Sequence, residues 1–527
     1  LAGDLYTTNG ESLDWNSNAF LYYTRSFNKQ HNLNVSAGWE AASGTTESTN
    51  AHYRGFPSGE FHSLNYAAEV YKKPTRTENT TRRVSVLASA NYTWNDIYLV
   101  DASVRFDGSS EFGANQKWAP FFSGGLGVNI HNYDFFKSNG YINKLKLRAS
   151  YGRTGKVNFP AYAATTMYET LFDEWYITGY GAVLKALGNK DLTWEKTDKL
   201  SVGIETKTFH DRLTVDFEYY YNKTIDLVND VTLSQTSGFS TYKDNMGQVA
   251  NKGVELKLRA DIYRDRNWNV ALWGNMAHNK NEILKISDSQ KAYNERVAAY
   301  YKNEALYQET LGLSHGAEYS VPLPQYEEGA SLTSIWAVRS LGIDPTTGKE
   351  IFLNRDGSIA DKWNAAQEVV VGNTEPKCSG AFGLNLSYKN WTLFASFLYE
   401  WGGQEYNQTL VNNVENADLV NKNVDLRVLT DRWKKPGDIA QFKDIKDRGM
   451  TTLPTSRFVQ DKALVRLNSL NVSYDFNRDW IKKHLRMNLL RLEASTSDLI
   501  NWSSIKQERG LSYPRSWKVE FSLKAQF

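Results

Sequence analysis

The chain has 527 residues with 61 Lys and Arg against 59 Asp and Glu, and this formal charge of +2 does not favour nucleic acid as a partner. Its mean hydropathy is -0.55. No apolar run approaches the roughly 18 residues that a membrane helix needs, which excludes a helical membrane protein. The single cysteine, Cys378, excludes an internal disulfide. The opening "LAGDLYTTNGESLDW" lacks the basic and apolar regions of a targeting signal, so we expect any signal to have been removed or to lie upstream.

Apolar and polar residues alternate through much of the chain. In "RRVSVLASANYTW" the apolar set runs from Val84 to Trp94, and "IYLVDASVRFD" continues it from Tyr98 to Phe106. A period of two indicates β-strands whose two faces meet different media. We predict about fifteen such strands, near residues 18–27, 32–42, 82–94, 97–107, 118–130, 144–154, 196–208, 212–222, 249–262, 267–279, 380–389, 391–401, 464–476, 485–495 and 515–527.

The predicted connections alternate between short turns and long loops. The short turns lie near 28–31, 95–96, 210–211, 264–266 and 389–390, with two longer ones at 131–143 and 477–484. The long loops lie near 43–81, 155–195, 223–248, 280–379 and 402–463. This layout is typical of an outer-membrane barrel. The predicted fold class is therefore all-β, a transmembrane antiparallel β-barrel that occupies residues 1–527 and contacts outer-membrane lipid.

The alternation alone also fits a soluble sandwich, whose apolar face is buried. Aromatic residues favour the membrane, because they gather on the apolar face beside the short turns, where a girdle meets lipid headgroups. They are Tyr92, Trp94 and Tyr98 at one turn, Tyr388 and Trp391 at another, Phe209, Trp268 and Phe476 at three more, and Phe527 at the end of the last strand. A soluble edge strand is more often blunted by charge.

Strand parity gives a further expectation. With Phe527 at the periplasmic end, counting back places residue 1 in an outer loop. A complete barrel has an even number of strands and both termini in the periplasm. We therefore expect these strands to be the C-terminal part of a larger barrel whose first third is missing from this chain.

Several ordered segments resemble the barrel of SusC/RagA-type TonB-dependent transporters of Bacteroidetes. They are "RFDGSSEFGANQKWAPFFSGGLGVNIHNYDFF", "INKLKLRASYGRTGKVNFPAY", "GNKDLTWEKT", "YYYNKTIDLV", "MGQVANKGVEL", "SIWAVRSLGIDPTTGKEIFLNRDG", "GNTEPKCSGAFGLNLSYKNW" and "ALVRLNSLNVSYDF". The resemblance implies a 22-stranded barrel, of which this chain supplies strands 8–22. It also implies an N-terminal plug, a SusD-like surface lipoprotein that acts as a hinged lid, and energy from the TonB complex acting on a TonB box. The sequence contains neither plug nor TonB box. We expect the N-terminal plug and barrel part of the same transporter to be either a separate chain or a part of the protein that lies outside this sequence.

The predicted function is TonB-dependent import of oligosaccharides across the outer membrane together with the lid. A peptide importer of the same family and a passive porin-like barrel remain alternatives, as does a soluble β-rich carbohydrate-active enzyme. A plug-bearing chain in the same complex would reject the porin. A soluble enzyme would purify without detergent and hold a carboxylate pair in a cleft.

Two sets of residues are candidate contacts. Aromatic side chains in the long loops are suited to binding sugar rings, peptides or the lid. We favour contact with the lid. They are Tyr162, Trp175, Tyr180, Tyr300, Tyr301, Trp336 and Trp363. Charged residues on the polar strand faces are predicted to face the lumen and to contact the plug before they contact solute. They are Arg105, Asp107, Arg148, Glu218, Lys257 and Arg259.

No motif predicts catalysis, a metal site or a cofactor. The segment "GIDPTTGKE" ends at Glu350 where a P-loop needs Ser or Thr for magnesium, and its composition fits a tight turn better. The segment "LNRDGS" around Asp356 lacks the alternating carboxylates of a calcium loop. Pairs such as Glu327 and Glu328, or Asp107 and Glu111, resemble glycosidase carboxylates, but such residues in loops are more often simply solvated.

Overall fold

The computed structural model describes residues 3–60, 63–137, 140–157, 159, 162–177, 179–232, 241–302, 326–421, 424–446, 452–476, 478–506 and 518–527. Most of these residues are in strands. In chain order the strands are β1 (Gly3–Phe27), β2 (His31–Phe56), β3 (Glu69–Trp94), β4 (Tyr98–Ser109), β5 (Trp118–Asn129), β6 (Ile142–Lys156), β7 (Met167–Tyr176), β8 (Gly179–Ala186), β9 (Glu195–Thr208), β10 (Leu213–Thr232), β11 (Thr241–Arg264), β12 (Trp268–Lys285), β13 (Ser334–Ala337), β14 (Arg339–Ile343), β15 (Glu350–Leu353), β16 (Ile359–Ala360), β17 (Val369–Asn373), β18 (Cys378–Tyr388), β19 (Trp391–Tyr406), β20 (Val459–Asp475), β21 (Leu489–Ser497), β22 (Asn501–Ser503) and β23 (Lys518–Gln526).

One large sheet holds 16 of these strands in the order β1-β2-β3-β4-β5-β6-β9-β10-β11-β12-β18-β19-β20-β21-β23, with β22 beside β20. Neighbours are antiparallel wherever the register is described, for example β1 with β2, β3 with β4 and β18 with β19. Three small sheets pair β7 with β8, β13 with β17, and β14 with β15 and β16. Each predicted strand coincides with one strand of the large sheet's main path, so the predicted antiparallel meander is confirmed.

Helices are few and short among the described residues. They lie at Asp134–Lys137, Asp288–Lys302, Gln408–Leu410, Arg427–Thr430 and Arg478–Leu485. A π-helical turn follows at Val411–Glu415, and 3₁₀ turns lie at Leu64–Tyr66, Ile130–Asn132, Ala365–Gln367 and Ser456–Phe458. Within the part of the chain that the structure describes, no helix is both long and apolar enough to cross a membrane.

Two short turns follow directly from their sequences. Asn28 and Lys29 have φ of 50° and 59°, and Asn95 and Asp96 have φ of 53° and 55°. Two successive positive φ values define a type I′ turn, whose twist matches that of antiparallel strands and which favours Asn and Asp. Each turn is closed by a backbone hydrogen bond, such as that from Ile97 N to Trp94 O at 2.9 Å. The local residues therefore fix the register of these hairpins.

The predicted boundaries of two long loops are wrong. Residues 43–81 are mostly strand, because β2 continues to Phe56 and β3 begins at Glu69. Likewise β10 and β11 leave only 233–240 between them, although we predicted a loop at 223–248. The segment "ASGTTESTNAHYRGF" has no apolar face, so its period of two is invisible in the sequence. Its β-prone Thr residues still pair across the sheet, as Thr46 does with Asn79.

The other predicted loops carry structure of their own. The loop at 155–195 contains the hairpin of β7 and β8, and the loop at 280–379 contains strands β13 to β17. Backbone contacts divide the chain into two compact units. The first comprises Leu1–Val128, Ala149–Leu200 and Lys223–Gln248, and the second comprises Asn129–Arg148, Ser201–Asn222 and Val249–Phe527.

Each unit has its own buried apolar cluster away from the regular strand faces. The cluster of the first unit contains Phe112, Ala119, Phe121, Phe159, Ala164, Leu192, Trp194 and Val228. The cluster of the second unit contains Leu410, Val411, Val414, Ala417, Val428, Phe442 and Phe458. The first cluster draws residues from connections and from strands β5 and β10, and the second draws all of its residues from the β19–β20 connection. The long connections therefore contain packed, buried cores.

Candidate transport pathway and loop region

Strand β4 exposes its apolar face more than its charged face, whereas the last strand, β23, exposes both faces. In β4, Val104 and Phe106 are 48% and 52% exposed, whereas the side chains of the alternating Arg105 and Asp107 are 39% and 16% exposed. In β23, Val519, Phe521 and Leu523 are 51%, 76% and 67% exposed. A soluble sandwich would bury these side chains against a second sheet. The arrangement is that of a sheet whose apolar side faces lipid.

Arg105 is the centre of an ionic group in the first unit. Its Nη2 lies 2.8 Å from Glu40 Oε2 and 2.8 Å from Ser85 Oγ, and its Nε lies 2.5 Å from Asp107 Oδ1. Glu40, Ser85 and Arg105 come from the adjacent strands β2, β3 and β4, so one guanidinium ties three strands together. Arg105 and Asp107 were predicted together, whereas Glu40 was missed.

Arg148 forms the equivalent group in the second unit. Its Nη2 lies 2.9 Å from Asp216 Oδ1 and 2.6 Å from Glu218 Oε2. Arg148 is in β6 and the two carboxylates are in β10, so the guanidinium crosses the intervening strand β9. It crosses at Gly203, where an added Cβ would lie 2.7 Å from Arg148 Nε. The sequence signal that we missed was a glycine on the polar face of a regular strand.

The remaining residues predicted to face the lumen do not bridge neighbouring strands in the contacts described. Lys257 and Arg259 are exposed on β11, and Arg259 Nη2 lies 3.3 Å from Asp261 Oδ1 on the same strand. Further pairs that the sequence analysis did not name include Lys144 with Glu205 at 2.6 Å and Arg153 with Asp198 at 2.6 Å. Contact of any of these residues with a plug stays a prediction.

The segments that carry the family resemblance build the cluster of the first unit. Phe112 stacks on Trp194 with ring centroids 4.2 Å apart, and Leu192 is fully buried beside them. Gly113 N donates to Leu192 O at 3.1 Å. An added Cβ at Gly113 would lie 1.9 Å from the carbonyl oxygen of Lys190. Only glycine therefore allows these two backbones to approach this closely.

Asn245 joins the same cluster to β10 through its side-chain amide. Its Nδ2 donates to Thr193 O at 2.9 Å and to Asp226 O at 2.8 Å, and its Oδ1 accepts from Thr193 N at 2.8 Å. The buried carboxylate of Glu195 accepts from Val228 N at 3.0 Å. The motif residues thus satisfy backbone groups where connections meet strands, which is a structural role.

Two of the predicted contact aromatics are structural donors or acceptors. The hydroxyl of Tyr162 accepts a hydrogen bond from Thr80 N at 3.1 Å. Trp363 Nε1 donates to Pro454 O at 2.9 Å, which joins two connections of the second unit. Both polar groups are therefore used within the protein.

The other predicted aromatics are spread over several elements. Tyr180 is 63% exposed in β8, and its backbone pairs with that of Trp175 in β7. Trp336 is half-buried in β13. Tyr300 and Tyr301 belong to the helix Asp288–Lys302, and their side chains fall outside the described residues, as does that of Trp175. Among the described residues, the aromatic side chains predicted to contact substrate or lid do not converge on one site.

A buried ionic network organises the connections of the second unit. Arg457 Nη2 lies 2.9 Å from Glu350 Oε2 and 2.6 Å from Glu415 Oε1, and Arg457 Nη1 donates to Gln441 O at 2.6 Å. Burial by itself lowers the pKa of Arg457, but the two carboxylates outweigh burial and raise it. Arg432 supplements this network by donating to the carbonyls of Val414, Glu415, Val428 and Lys443.

The turn interpretation of two candidate ligand motifs is confirmed. In "GIDPTTGKE", Asp344 accepts from Thr346 N at 2.9 Å and from Thr347 Oγ1 at 2.6 Å. In "LNRDGS", Asp356 accepts from Ser358 N at 2.8 Å. Among the residues that the structure describes, no three His, Cys, Asp or Glu side chains converge as metal ligands.

Aromatic rings contact one another beside the short turns. Trp94 and Tyr98 stack across the turn between β3 and β4, with ring centroids 5.3 Å apart. Trp268 and Tyr388 are 4.2 Å apart, and Trp391 and Tyr474 are 4.8 Å apart. These pairs lie at the same end of their strands, because successive antiparallel strands return to it at every second connection. The predicted aromatic girdle is therefore present in these pairs.

Known TonB-dependent receptors of Bacteroidetes are similar in sequence to this chain. TonB-dependent receptor P39 of Formosa agariphila is 26% identical over an alignment of 566 residues that covers 98% of this chain and 53% of that protein. TonB-dependent receptor SusC of Bacteroides thetaiotaomicron is 29% identical over 255 residues, which is 46% of this chain and 25% of that protein. The chain spans about half the length of P39 and of a second Formosa receptor, P3 (53% and 48%).

The fold is shared with a solved transporter structure. The chain superposes on the structure of the RagAB peptide transporter with a TM-score of 0.82 and 22% identity, covering 100% of this chain and 57% of that one. The open-open state of the RagAB peptide importer gives a TM-score of 0.82 and 23% identity. The family model described as TonB dependent receptor-like, beta-barrel matches residues 2–494. The chain therefore belongs to the TonB-dependent receptor-like β-barrel family of the outer membrane, and it is similar to SusC in sequence and to the RagAB transporter in fold.

Proposed function

We propose that the protein containing this chain imports oligosaccharides across the outer membrane by TonB-dependent transport, together with a SusD-like surface lipoprotein. The observation that carries this proposal is the inverted sheet, whose apolar side chains are exposed while Arg105 and Arg148 hold ionic groups on the other face. Such a face borders an interior filled by polar groups. In this family that interior accommodates a plug, and a plug is what distinguishes energised import from passive diffusion.

The plug contact is the first part of the proposal. Lys257 and Arg259 are exposed cations on the polar face of β11, and the groups around Arg105 and Arg148 still expose about a third of their side chains. We propose that these residues, with Asp107 and Glu218, hold the plug through charge-assisted hydrogen bonds. Partly satisfied charges suit a contact that must break and re-form while a solute passes.

The lid contact is the second part. Arg457 and Trp363 fasten the connections of the second unit to one another, which supports a rim that is already ordered before a partner arrives. A preordered surface loses less conformational entropy on binding than a flexible loop does. We propose that the lipoprotein docks on this rim, near Trp336 and Trp363. Trp175 and Tyr180 of the β7–β8 hairpin are proposed separately as contacts of the lipoprotein or of the solute.

The substrate class rests on exposed loop aromatics. Tyr168 and Tyr180 expose most of their surface on the β7–β8 hairpin. Flat aromatic faces offer apolar surface for a sugar ring. A peptide is the second candidate, because the fold matches that of a peptide transporter. The aromatic residues serve either substrate, so the distinction requires a binding experiment.

The test uses cells that produce the natural transporter together with its lipoprotein. Uptake of a glycan panel and a peptide panel by cells is compared with and without a functional TonB complex. We expect uptake of a glycan that disappears without TonB. Uptake that persists without TonB would instead establish a passive porin. TonB-dependent uptake restricted to peptides would retain the transporter and replace only the substrate.

A further inference from the structure

The connection between β20 and β21 carries a short helix at the short-turn end of the sheet. The helix Arg478–Leu485 has 8 residues. Ile481, at 1% exposure, anchors it to the protein. The connection is fixed on both sides, because Phe476 N donates to Leu490 O at 3.0 Å and Asn488 N donates to Gln526 O at 2.6 Å. The helix is therefore held in a defined place beside β21 and β23.

The outer surface of this helix combines apolar, aromatic and basic side chains. Trp480 is 50% exposed and stacks on His484 with ring centroids 5.1 Å apart. Leu485, Lys482 and Lys483 are also exposed. Helices that lie in the plane of a membrane interface combine an aromatic and apolar surface with lysine side chains in this way.

The helix continues a row of aromatic contacts at the same end of the sheet. The row runs from Trp268 to Tyr388, whose backbone pairs with Trp391, and on to Tyr474. The Tyr474 ring lies 5.1 Å from Phe476, where the helical connection begins. Aromatic rows of this kind mark the level of the lipid headgroups. The helix is thus continuous with the lipid-facing surface already described.

Positive charge is concentrated in the turns beside this row. Residues 264–267, 389–390 and 476–488 contain seven Lys or Arg and two Asp, whereas the whole chain is balanced at 61 against 59. Arg264, Arg266 and Lys389 are exposed. A local excess of cations at headgroup level attracts anionic lipid. The charge complementarity therefore points to phosphate-bearing lipid rather than to a neutral surface.

We propose that the helix Arg478–Leu485 and the neighbouring turns bind the headgroup of an anionic phospholipid, such as phosphatidylglycerol, in the leaflet at the short-turn end. That end is periplasmic in barrels of this kind. Lys482 and Lys483 contact the phosphate as point charges, and Trp480 lies at the boundary between headgroup and acyl chain. This inference depends on the outer-membrane location and not on the proposed substrate or lid.

The test measures phosphatidylglycerol binding to the full-length transporter in a neutral detergent by native mass spectrometry. The variant Lys482→Gln/Lys483→Gln is compared with Lys434→Gln/Lys435→Gln, which removes an exposed pair from the β19–β20 connection at the opposite end of the strands. We expect the first variant to weaken the tightest phosphatidylglycerol site by about 30-fold, since each lysine near an anionic surface contributes about fivefold. The second variant should retain it.

Further arms separate the alternatives. Lys482→Arg/Lys483→Arg keeps both charges and should retain binding, and an unchanged shift in gel mobility on heating shows that each variant is folded. Phosphatidylcholine should bind equally to all variants. Equal phosphatidylglycerol affinity in the wild type and the Lys482→Gln/Lys483→Gln variant overturns the proposal. Displacement of the lipid by millimolar inorganic phosphate also overturns the proposal, because the site would then bind free phosphate and not a lipid.

Discussion

Arg148 passes over Gly203 to reach its carboxylate partners on the next strand but one, and an added Cβ at Gly203 would lie 2.7 Å from Arg148 Nε. The glycine therefore leaves room for the arginine side chain to pass over the intervening strand. This relationship links the regular sheet to the charged face that we assign to the pathway.

Gly203→Ala should displace the Arg148 side chain and weaken its contacts with Asp216 and Glu218. Because about a third of the arginine side chain is exposed, we expect a loss of about 1 kcal/mol in the free energy of unfolding. Urea unfolding followed by gel mobility measures it. In an Arg148→Met background the same glycine substitution should cost nothing further, and equal costs in both backgrounds would refute the interpretation.

Gly113→Ala should destabilise the cluster of the first unit, because the new methyl group would meet the backbone carbonyl of Lys190. We expect a loss of about 1–3 kcal/mol in the free energy of unfolding, the range for overpacked sites. The matched control is Gly59→Ala, where an added Cβ meets nothing within 4 Å. An unfolding midpoint that is unchanged in both variants would contradict the close approach.

Arg457→Met should destabilise the connections of the second unit, because it leaves Glu415, whose side chain is 0% exposed, without its cation. Breaking a buried pair from one side costs about 3–5 kcal/mol. Hydrogen exchange of residues 408–415 and 350–353 should increase together. The control Arg76→Met removes a pair whose arginine side chain is 60% exposed, and should cost less than about 1 kcal/mol. Increased exchange in only one of the two segments would argue against a shared network.

Acid should weaken the start of the helix Arg427–Thr430. Hydrogen bonds from Arg427, at 2.9 Å from its backbone N and 2.9 Å from its Nε, hold the pKa of Asp425 well below the ordinary value of 3.8. A carboxylate whose pKa is lowered by folding stabilises the folded state above the unfolded pKa. That stabilisation is lost as the pH falls below 3.8 toward the folded pKa.

Hydrogen exchange of residues 424–430 measures this effect. Protection should be constant from pH 7 to pH 5, after correction for intrinsic exchange rates, and should fall below about pH 4, where free Asp titrates. Asp425→Asn should remove the acid dependence and lower the protection at neutral pH. An acid dependence that survives in Asp425→Asn would assign the effect to another group.

Much of the fold was predictable because lipid and polar interior impose a period of two on every strand. Val104 and Phe106 alternate with Arg105 and Asp107 in sequence as they do in space. Strands could not be predicted where the two faces of the chain no longer differ in polarity. Beyond Ala42, strand β2 has no apolar face in its sequence, although its backbone still pairs with β1 and β3, with register shifts near His52.

The candidate site was less predictable for a different reason. An aromatic residue in a long loop has the same sequence signature whether it binds a ligand or supports the loop. Trp363 proved to be a donor to Pro454, and Tyr162 an acceptor from Thr80. Arg148 and Glu218 were both predicted to face the lumen, but their pairing with each other was not predicted. The role of Gly203 becomes visible only when the order β6-β9-β10 is known.

The contacts of Arg457 and its neighbours have an evolutionary consequence. Glu350, Glu415 and Gln441 belong to two different connections, and Val338 forms a parallel bridge with Thr455 between the same two. A change of length or sequence in one connection therefore leaves unmatched groups in the other. Evolutionary change of this surface should therefore keep both connections together as one inherited unit, while the hairpins outside the network vary independently.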